Sequence, residues 1–306
     1  MQPQDKKYGR FLAIFCCMLW GMAFPAIKIG YGIFGIDSGD TGGQIMFAGI
    51  RFFLAGVLAW MIGSAIYKRP LTPKRSSLLK VIILSLFQTF FQYLFFYVGL
   101  AHTTGVKGAI LTASNTFFAF FISAVIYHQE EMSLRKWLGL IVGFLGVIVV
   151  NMSGGINGSI SLLGEGFMLF SALMSAMSSV LLKKYTKDEL AFTLSSFQFM
   201  TGGVGLFIAG IVIRMCFIRY SFNVSSPIKG ILIILVLSGI SAIAYSLWGV
   251  LLKEYEVSKI SVFGFLIPIF GSVFSIIALN EDMKGSPLRI IAALILVSVG
   301  TYMVQK

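Results

Sequence analysis

Charged residues are scarce in this chain of 306 residues, where they account for 12% of the sequence and only 12 are acidic. Hydrophobic residues make up 57%, and the mean hydropathy is +0.90. Because soluble globular domains carry about 25% charged residues, this balance excludes an ordinary soluble domain. The composition predicts an integral membrane protein with many spanning segments.

Residues that support common catalytic chemistry are also scarce. The chain has three cysteines and two histidines, and it lacks the Walker A, GxSxG, HExxH and CxxC patterns. No Asp or Glu lies in the middle of an apolar segment, so a carboxylate relay for protons has no evident carrier. We therefore expect no ATP-driven pumping, no enzyme activity, no cofactor and no metal site.

The net charge of +12 does not indicate a nucleic-acid partner, because the positive residues lie in short loops and not on one basic face. Most of them fall in loops on the side of the N-terminus, such as Lys68 and Lys183. The positive-inside rule then favours both termini in the cytoplasm. We expect a multi-pass protein of the cell membrane, specifically a bacterial plasma membrane, with the oligomeric state left open and a monomer plausible.

Ten apolar segments are long enough to cross a bilayer as helices. A hydrocarbon core of about 30 Å needs about 20 helical residues at 1.5 Å each. The predicted segments are residues 11–30, 44–66, 79–100, 105–127, 135–152, 162–182, 191–213, 228–251, 257–279 and 287–304. The connections between them are short, which leaves no room for a soluble domain. We predict an all-α membrane protein with ten transmembrane helices.

The second half of the chain aligns with the first when it is shifted by 151 residues. Loop lengths then agree, and Glu130 falls over Glu281, each after the fourth apolar segment of its half. Because five is an odd number, the second half would enter the membrane from the opposite side. The pattern predicts two inverted-topology five-helix repeats, residues 1–153 and 154–306, a plan that recurs in secondary transporters.

Four stretches of the sequence resemble the EamA-type modules of the drug/metabolite transporter superfamily. They are LWGMAFPAIK at 19–28, IRFFLAG at 50–56, EEMSLRKWLGLIVGFLGVIVV at 130–150 and VSKISVFGFLIPIFGSVFSIIALNED at 257–282. The resemblance covers essentially the whole chain as two tandem modules. It implies a ten-helix, inverted-repeat transporter of small metabolites, often an exporter of amino acids or related compounds. One departure is that the proline usual in the fourth helix of each module is present as Pro268 but absent near Phe117.

Arg51 lies within the apolar run FAGIRFFLAG, about 12 Å below the outer end of its predicted segment. An Arg at the bilayer centre costs about 2.5–3.5 kcal/mol, so its side chain should face the interior of the bundle. Two interpretations stay open. The guanidinium binds the carboxylate of a substrate, or it ties its helix to neighbouring backbone carbonyls.

Other polar and aromatic residues predict the wall of a cavity. Gln88 and Gln92 are four residues apart and share a helical face, next to Tyr93. Interhelical hydrogen bonding between amides is the alternative explanation. The predicted substrate-binding set is Trp20, Arg51, Gln88, Gln92, Tyr93, Asn115, Ser175, Ser179, Tyr245 and Trp248.

Pro25 and Pro268 each interrupt an apolar segment. The carbonyls that lose a hydrogen bond to these prolines belong to Gly21 and Gly264, four residues earlier. These two pairs are predicted to form hinges or cavity-lining kinks, with a static kink that improves packing as the alternative.

The sequence thus favours a secondary transporter that exports small organic metabolites, amino acids first, by alternating access around a central cavity. Its expected partners are the metabolite and the lipid bilayer. Uptake and multidrug efflux are alternatives within transport. A non-transporting intramembrane enzyme or receptor is the alternative of another class, but such an enzyme needs a catalytic pair facing each other at depth, and the sequence offers none.

Overall fold

The computed structural model describes residues 6–128, 131, 133–151, 161–217, 225–279 and 287–305, so Glu130 and Glu281 lie outside the described part. The described residues contain no β-strand and form ten helical segments. These are α1 Lys6–Phe34, α2 Thr41–Tyr67, α3 Arg75–Ala101, α4 residues 105–126, α5 Leu134–Asn151, α6 Leu162–Tyr185, α7 Ala191–Phe217, α8 Pro227–Glu254, α9 residues 257–279 and α10 Pro287–Gln305. Each corresponds to one of the ten predicted segments.

Seven stretches within the described residues are long and apolar enough to cross a membrane. They comprise most or all of α1, α2, α3, α6, α7 and α8, together with Lys259–Leu279 of α9. The helices α5 and α10 have 18 and 19 residues, which correspond to about 27 Å or slightly more at 1.5 Å per residue. The chain is therefore a multi-pass membrane protein. Because successive helices alternate in direction, we call the end of the bundle where α1 begins the lower end.

Four of the segments are not regular α-helices throughout. In α3, the 3-10 turn Arg75–Ser77 is followed by the α-helix Leu78–Ser85, the π-helical turn Leu86–Phe91 and the α-helix Gln92–Ala101. In α4, the α-helices Gly105–Thr112 and Ser114–Phe121 are followed by the π-helical turn Ile122–Ile126, and in α6 the π-helical turn Leu162–Gly166 precedes the α-helix Phe167–Tyr185. In α9, the 3-10 turn Val262–Phe265 separates the α-helices Val257–Ser261 and Leu266–Leu279. Irregular backbone at membrane depth is tolerated only where protein or water satisfies the freed polar groups. Such turns often mark functional sites.

Helix packing divides most of the bundle into two groups of three. In group A, α1 packs along α8 and α9, and in group B, α6 packs along α3 and α4. The most extensive helix pair is α2 with α7, followed by α5 with α10. Group A contacts the α2/α7 pair through α8 and group B contacts it through α3, and the two groups also pack directly on each other through α4 and α9. The α2/α7 pair is therefore the element on which both groups rest.

Glycines bring α2 and α7 close together. A methyl group at Gly49 would lie 2.5 Å from the backbone nitrogen of Phe207, and one at Gly203 would lie 2.5 Å from the backbone nitrogen of Phe53. Other glycines that meet the opposite helix at 3.0 Å or less are Gly42, Gly56 and Gly210. In lipid, where apolar helices gain little hydrophobic energy by associating, small residues let backbones approach and gain van der Waals contact.

We expect Gly49→Ala to destabilise the protein, because the added methyl group would push against the backbone of α7. Overpacking of this kind costs about 1–3 kcal/mol. The matched control is Gly239→Ala in α8, since no atom lies within 4 Å of the position that the new methyl group would take. The apparent melting temperature in detergent should fall by several degrees for Gly49→Ala and stay level or rise for Gly239→Ala. Equal melting temperatures would contradict the close α2/α7 contact.

Candidate functional site

A cavity lies between groups A and B near the middle of the bundle. Gln88, one of its lining residues, is midway along α3. About 80 Å³ is open to the centres of water molecules, and one buried water needs about 10–15 Å³ on that measure. The cavity therefore holds several waters or the body of a small solute. Its lining comes from α1, α2, α3, α4, α6, α8 and α9.

All ten residues of the predicted substrate-binding set line this one cavity. They are Trp20 from α1, Arg51 from α2, Gln88, Gln92 and Tyr93 from α3, Asn115 from α4, Ser175 and Ser179 from α6, and Tyr245 and Trp248 from α8. The structure thus brings together side chains from six of the ten helical segments. That they bind a substrate stays a prediction.

The four predicted hinge positions divide between the cavity and helix packing. Gly264 lines the cavity, within the 3-10 segment of α9, and Pro268 lies in the first turn of the α-helical part that follows, where a proline is tolerated. Gly21 packs against α9, where a methyl group would lie 2.5 Å from Cβ of Phe270. Helix α1 continues through Pro25 to Phe34. Their action as hinges stays a prediction.

The two helix groups give the cavity unlike walls. Group B contributes the amides of Gln88, Gln92 and Asn115 and a row of serines on α6. Group A contributes an aromatic cluster in which the ring of Trp20 lies 4.9 Å from the rings of both Tyr245 and Trp248, edge to face. Edge-to-face aromatic pairs are favourable beyond their buried area. The cavity therefore offers hydrogen bonds on one side and an apolar, aromatic surface on the other.

Direct hydrogen bonds connect the two walls. The hydroxyl of Tyr245 accepts a hydrogen bond from Nε2 of Gln92 at 3.2 Å and shares another with the hydroxyl of Tyr93. Oγ1 of Thr116 donates to the backbone carbonyl of Ser261 at 2.9 Å, which joins the interrupted helices α4 and α9. The walls are thus in contact on both sides of the central space.

Arg51 is buried, with 2% of its surface exposed, and lies about 15 Å from the upper end of α2. Its Nε donates to the carbonyl of Leu237 at 3.2 Å, its Nη1 to the hydroxyl of Tyr97 at 2.5 Å and its Nη2 to Oγ of Ser241 at 2.8 Å. The guanidinium carbon also lies 4.8 Å from the centre of the Phe52 ring. Arg51 therefore ties α2 to α3 and α8.

The hydrogen-bond partners of Arg51 bear on its two predicted roles, which are binding a substrate carboxylate and tying its helix to backbone carbonyls. Its contacts with the protein are made mainly by hydroxyls, and only one backbone carbonyl accepts from it. Among the residues that the structure describes, no carboxylate pairs with the guanidinium. The charge consequently remains as a positive potential at the cavity wall. Contact between Arg51 and a substrate stays a prediction.

Five further polar residues line the cavity but were not predicted: Thr112, Thr116, Ser171, Ser178 and Ser261. Those on α6 had a signal in the sequence, because residues 171, 175 and 178 follow helical spacing on one face. The two threonines of α4 are also four residues apart. Ser261 had no such signal, since its position depends on the turn where α9 changes from α to 3-10 geometry.

Comparison with known proteins gives a consistent result across the chain. The profile of the EamA-like transporter family matches residues 7–152 and again residues 162–304. An uncharacterized transporter, YvbV of Bacillus subtilis, is 27% identical over 97% of this chain and 91% of its own length. A probable amino-acid metabolite efflux pump of Escherichia coli is 24% identical over 95% of this chain and 92% of its own.

The fold also has a counterpart among solved structures. One crystal structure superposes with a TM-score of 0.68 and covers 97% of both chains at 14% sequence identity. At that identity the likeness concerns the fold alone.

The contacts of Arg51 predict that Tyr97→Phe destabilises the protein, because it leaves one N–H of a buried guanidinium without its partner. An unsatisfied buried polar group costs about 1–3 kcal/mol. The control is Tyr67→Phe, at a residue that is 40% exposed. We expect the apparent melting temperature to fall for Tyr97→Phe only, and Ser241→Ala to have a similar effect. Unchanged stability in both Tyr97→Phe and Ser241→Ala would show that Arg51 does not hold the three helices together.

Proposed function

Because this chain belongs to the EamA-like transporter family, we propose that it exports small organic metabolites, with amino acids and related compounds as the leading class. Family membership makes it a membrane transporter. Export of an amino-acid metabolite is supported by the name of the relative from Escherichia coli. The observation that carries the proposal is the cavity at mid-depth, lined by helices from both halves of the chain.

We infer that the chain consists of two inverted five-helix repeats. The packing pattern supports this, because the main helix contacts of one half correspond to those of the other. When each helix is exchanged with the one five places away, the α2/α7 and α5/α10 pairs map onto themselves, and the α1/α9 pair maps onto the α6/α4 pair. The fourth helix of each half, α4 and α9, is also interrupted close to the cavity. Interrupted helices at corresponding positions of two halves are typical of transporter binding sites.

The chemistry of the cavity favours a small amphipathic substrate. The amides and hydroxyls of group B suit polar groups, and the rings of Trp20, Tyr245 and Trp248 suit an apolar or aromatic portion. The uncompensated charge of Arg51 favours a carboxylate and disfavours a cation. An amino acid or a related carboxylic acid meets these requirements, whereas a cationic drug does not.

Transport would proceed by alternating access. Groups A and B would move relative to each other on the α2/α7 pair and expose the cavity first at one end and then at the other. In that scheme Gly21, Pro25, Gly264 and Pro268 absorb the bending in α1 and α9. No carboxylate lines the described part of the cavity, so a proton relay through carboxylates has no carrier there. Exchange and facilitated export do not require such a relay, and we therefore favour them.

The decisive experiment is counterflow with purified protein in liposomes. Vesicles preloaded with single amino acids, other carboxylic acids or organic cations would be tested for uptake of the labelled compound. We expect accelerated exchange for one or more amino acids or related carboxylic acids, and none for the cations. Exchange of cations alone, or of no compound in a broad metabolite panel, would overturn the proposal.

Gln88 offers a sharp test of the cavity, because Oε1 of its buried side chain has no hydrogen-bond partner among the described residues. We expect Gln88→Leu to lower transport of the identified substrate at least tenfold without lowering the melting temperature, since only ligand contacts are lost. The matched control is Gln198→Leu, a buried glutamine outside the cavity that accepts a hydrogen bond from Thr89 at 2.5 Å. That variant should lose stability and keep its substrate KM. The reverse pattern would place the binding site elsewhere.

A further inference from the structure

Two lysines connect group A with group B, one near each end of the cavity. At the upper end, Nζ of Lys28 in α1 donates to the backbone carbonyl of Thr103, which follows α3, at 3.0 Å. At the lower end, Nζ of Lys183 in α6 donates to the carbonyl of Leu252 in the last turn of α8, at 3.3 Å, and to that of Tyr255. Both side chains are partly buried.

The two contacts have the same design. Each lysine lies in the second half of the first helix of its five-helix half, and its acceptors lie in the last turn of the third helix or just beyond it. The carbonyls of a helix end lack intrahelical partners and carry partial negative charge, so an ammonium group is a suitable donor to them. In the first case group A supplies the lysine, and in the second case group B supplies it.

Both lysines lie close to the cavity along their helices. Lys28 lies one helical turn beyond Phe24 and Lys183 lies one helical turn beyond Ser179, and both Phe24 and Ser179 line the cavity. Opening the cavity at one end by separating groups A and B would therefore break the lysine contact at that end and leave the other intact.

We propose that Lys28 and Lys183 are paired gate residues, each of which holds one end of the cavity closed. In this structure both contacts are formed. Breaking the upper contact gives access from the upper side, and breaking the lower contact gives access from the lower side. The proposal rests on the transport function proposed above, but its test needs no substrate.

The bland alternative is that each lysine merely caps a helix end. A cap that stabilises the fold would, when removed, loosen the protein without regard to side. A gate residue would change access at its own end and reduce it at the other, because the populations of the states open at each end compete. The direction of the change therefore separates the two explanations.

The experiment measures access to the cavity from each side with a membrane-impermeant maleimide. The full chain with the exposed Cys216 replaced by serine keeps Cys16 and Cys17, which are fully buried. A single reporter cysteine is then placed at Thr112, toward the upper end of α4, or at Ser179, toward the lower end of α6. A tag after the C-terminus of α10 marks the lower side of sealed vesicles.

We expect Lys183→Met to raise labelling of Ser179→Cys from the lower side by about tenfold and to lower labelling of Thr112→Cys from the upper side; a charge-assisted hydrogen bond is large enough for such a shift. Lys28→Met should do the opposite. Faster labelling from both sides, no change from either side, or a change on the wrong side would overturn the proposal.

Two sets of controls keep the result interpretable. Lys229→Met and Lys184→Met remove exposed lysines at the upper and lower ends, and they should leave both labelling rates unchanged. Lys28→Gln and Lys183→Gln remove the charge but keep an N–H group that can donate a hydrogen bond. They are used in the labelling experiment if the methionine variants do not purify as folded protein. If the glutamine variants also failed to fold, the lysines would be structural and the gate proposal would fall, whereas transport by the parent chain would still be testable by counterflow.

Discussion

The close contact between α2 and α7 is the constraint on which the rest of the structure depends. Gly49 and Gly203 let the two backbones approach to a distance that a single methyl group would prevent. Both three-helix groups rest on this pair, through α8 on one side and α3 on the other. In a bilayer, helices are held by van der Waals contact and hydrogen bonds because burial from lipid yields little. The closely packed α2/α7 pair therefore gives the two groups a common support.

Arg51 depends on that support. It projects from α2 two residues after Gly49, and its three hydrogen bonds reach one helix of each group, α3 and α8. A buried charge without a counter-ion is costly, and here hydroxyls, one carbonyl and an aromatic ring share the task of satisfying it. The same arrangement leaves the charge uncompensated at the cavity wall. One residue thus joins the support to both groups and sets the electrostatic potential that a substrate would meet.

Hydropathy and spacing were enough to predict the ten helical segments, and the ten residues of the predicted substrate-binding set all line the cavity. They sufficed because an amide or an Arg in an apolar helix has few places to point, so Gln88, Gln92 and Arg51 had to face a common interior. Spacing failed where the backbone is irregular. The contribution of Ser261 depends on the 3-10 segment of α9, and the lysine contacts at both ends use backbone carbonyls, which carry no sequence signature. Gly21 was predicted to mark a hinge or kink; it packs against α9, and its action as a hinge stays a prediction.

Under the proposed inverted repeat, the backbone of this protein is more symmetric than its side chains. Helix contacts, the interrupted helices and the lysine contacts at the two ends recur in both halves of the chain, whereas the walls of the cavity do not match. The first helices of the two halves, α1 and α6, illustrate this difference. Helix α1 contributes Trp20 to the aromatic wall, whereas α6 contributes serines to the polar wall. This difference has a physical reason. Under the proposed alternating access, two equivalent ends require a repeated framework, whereas a single asymmetric solute makes different contacts with each wall, so the side chains at the centre would diverge while the framework is retained.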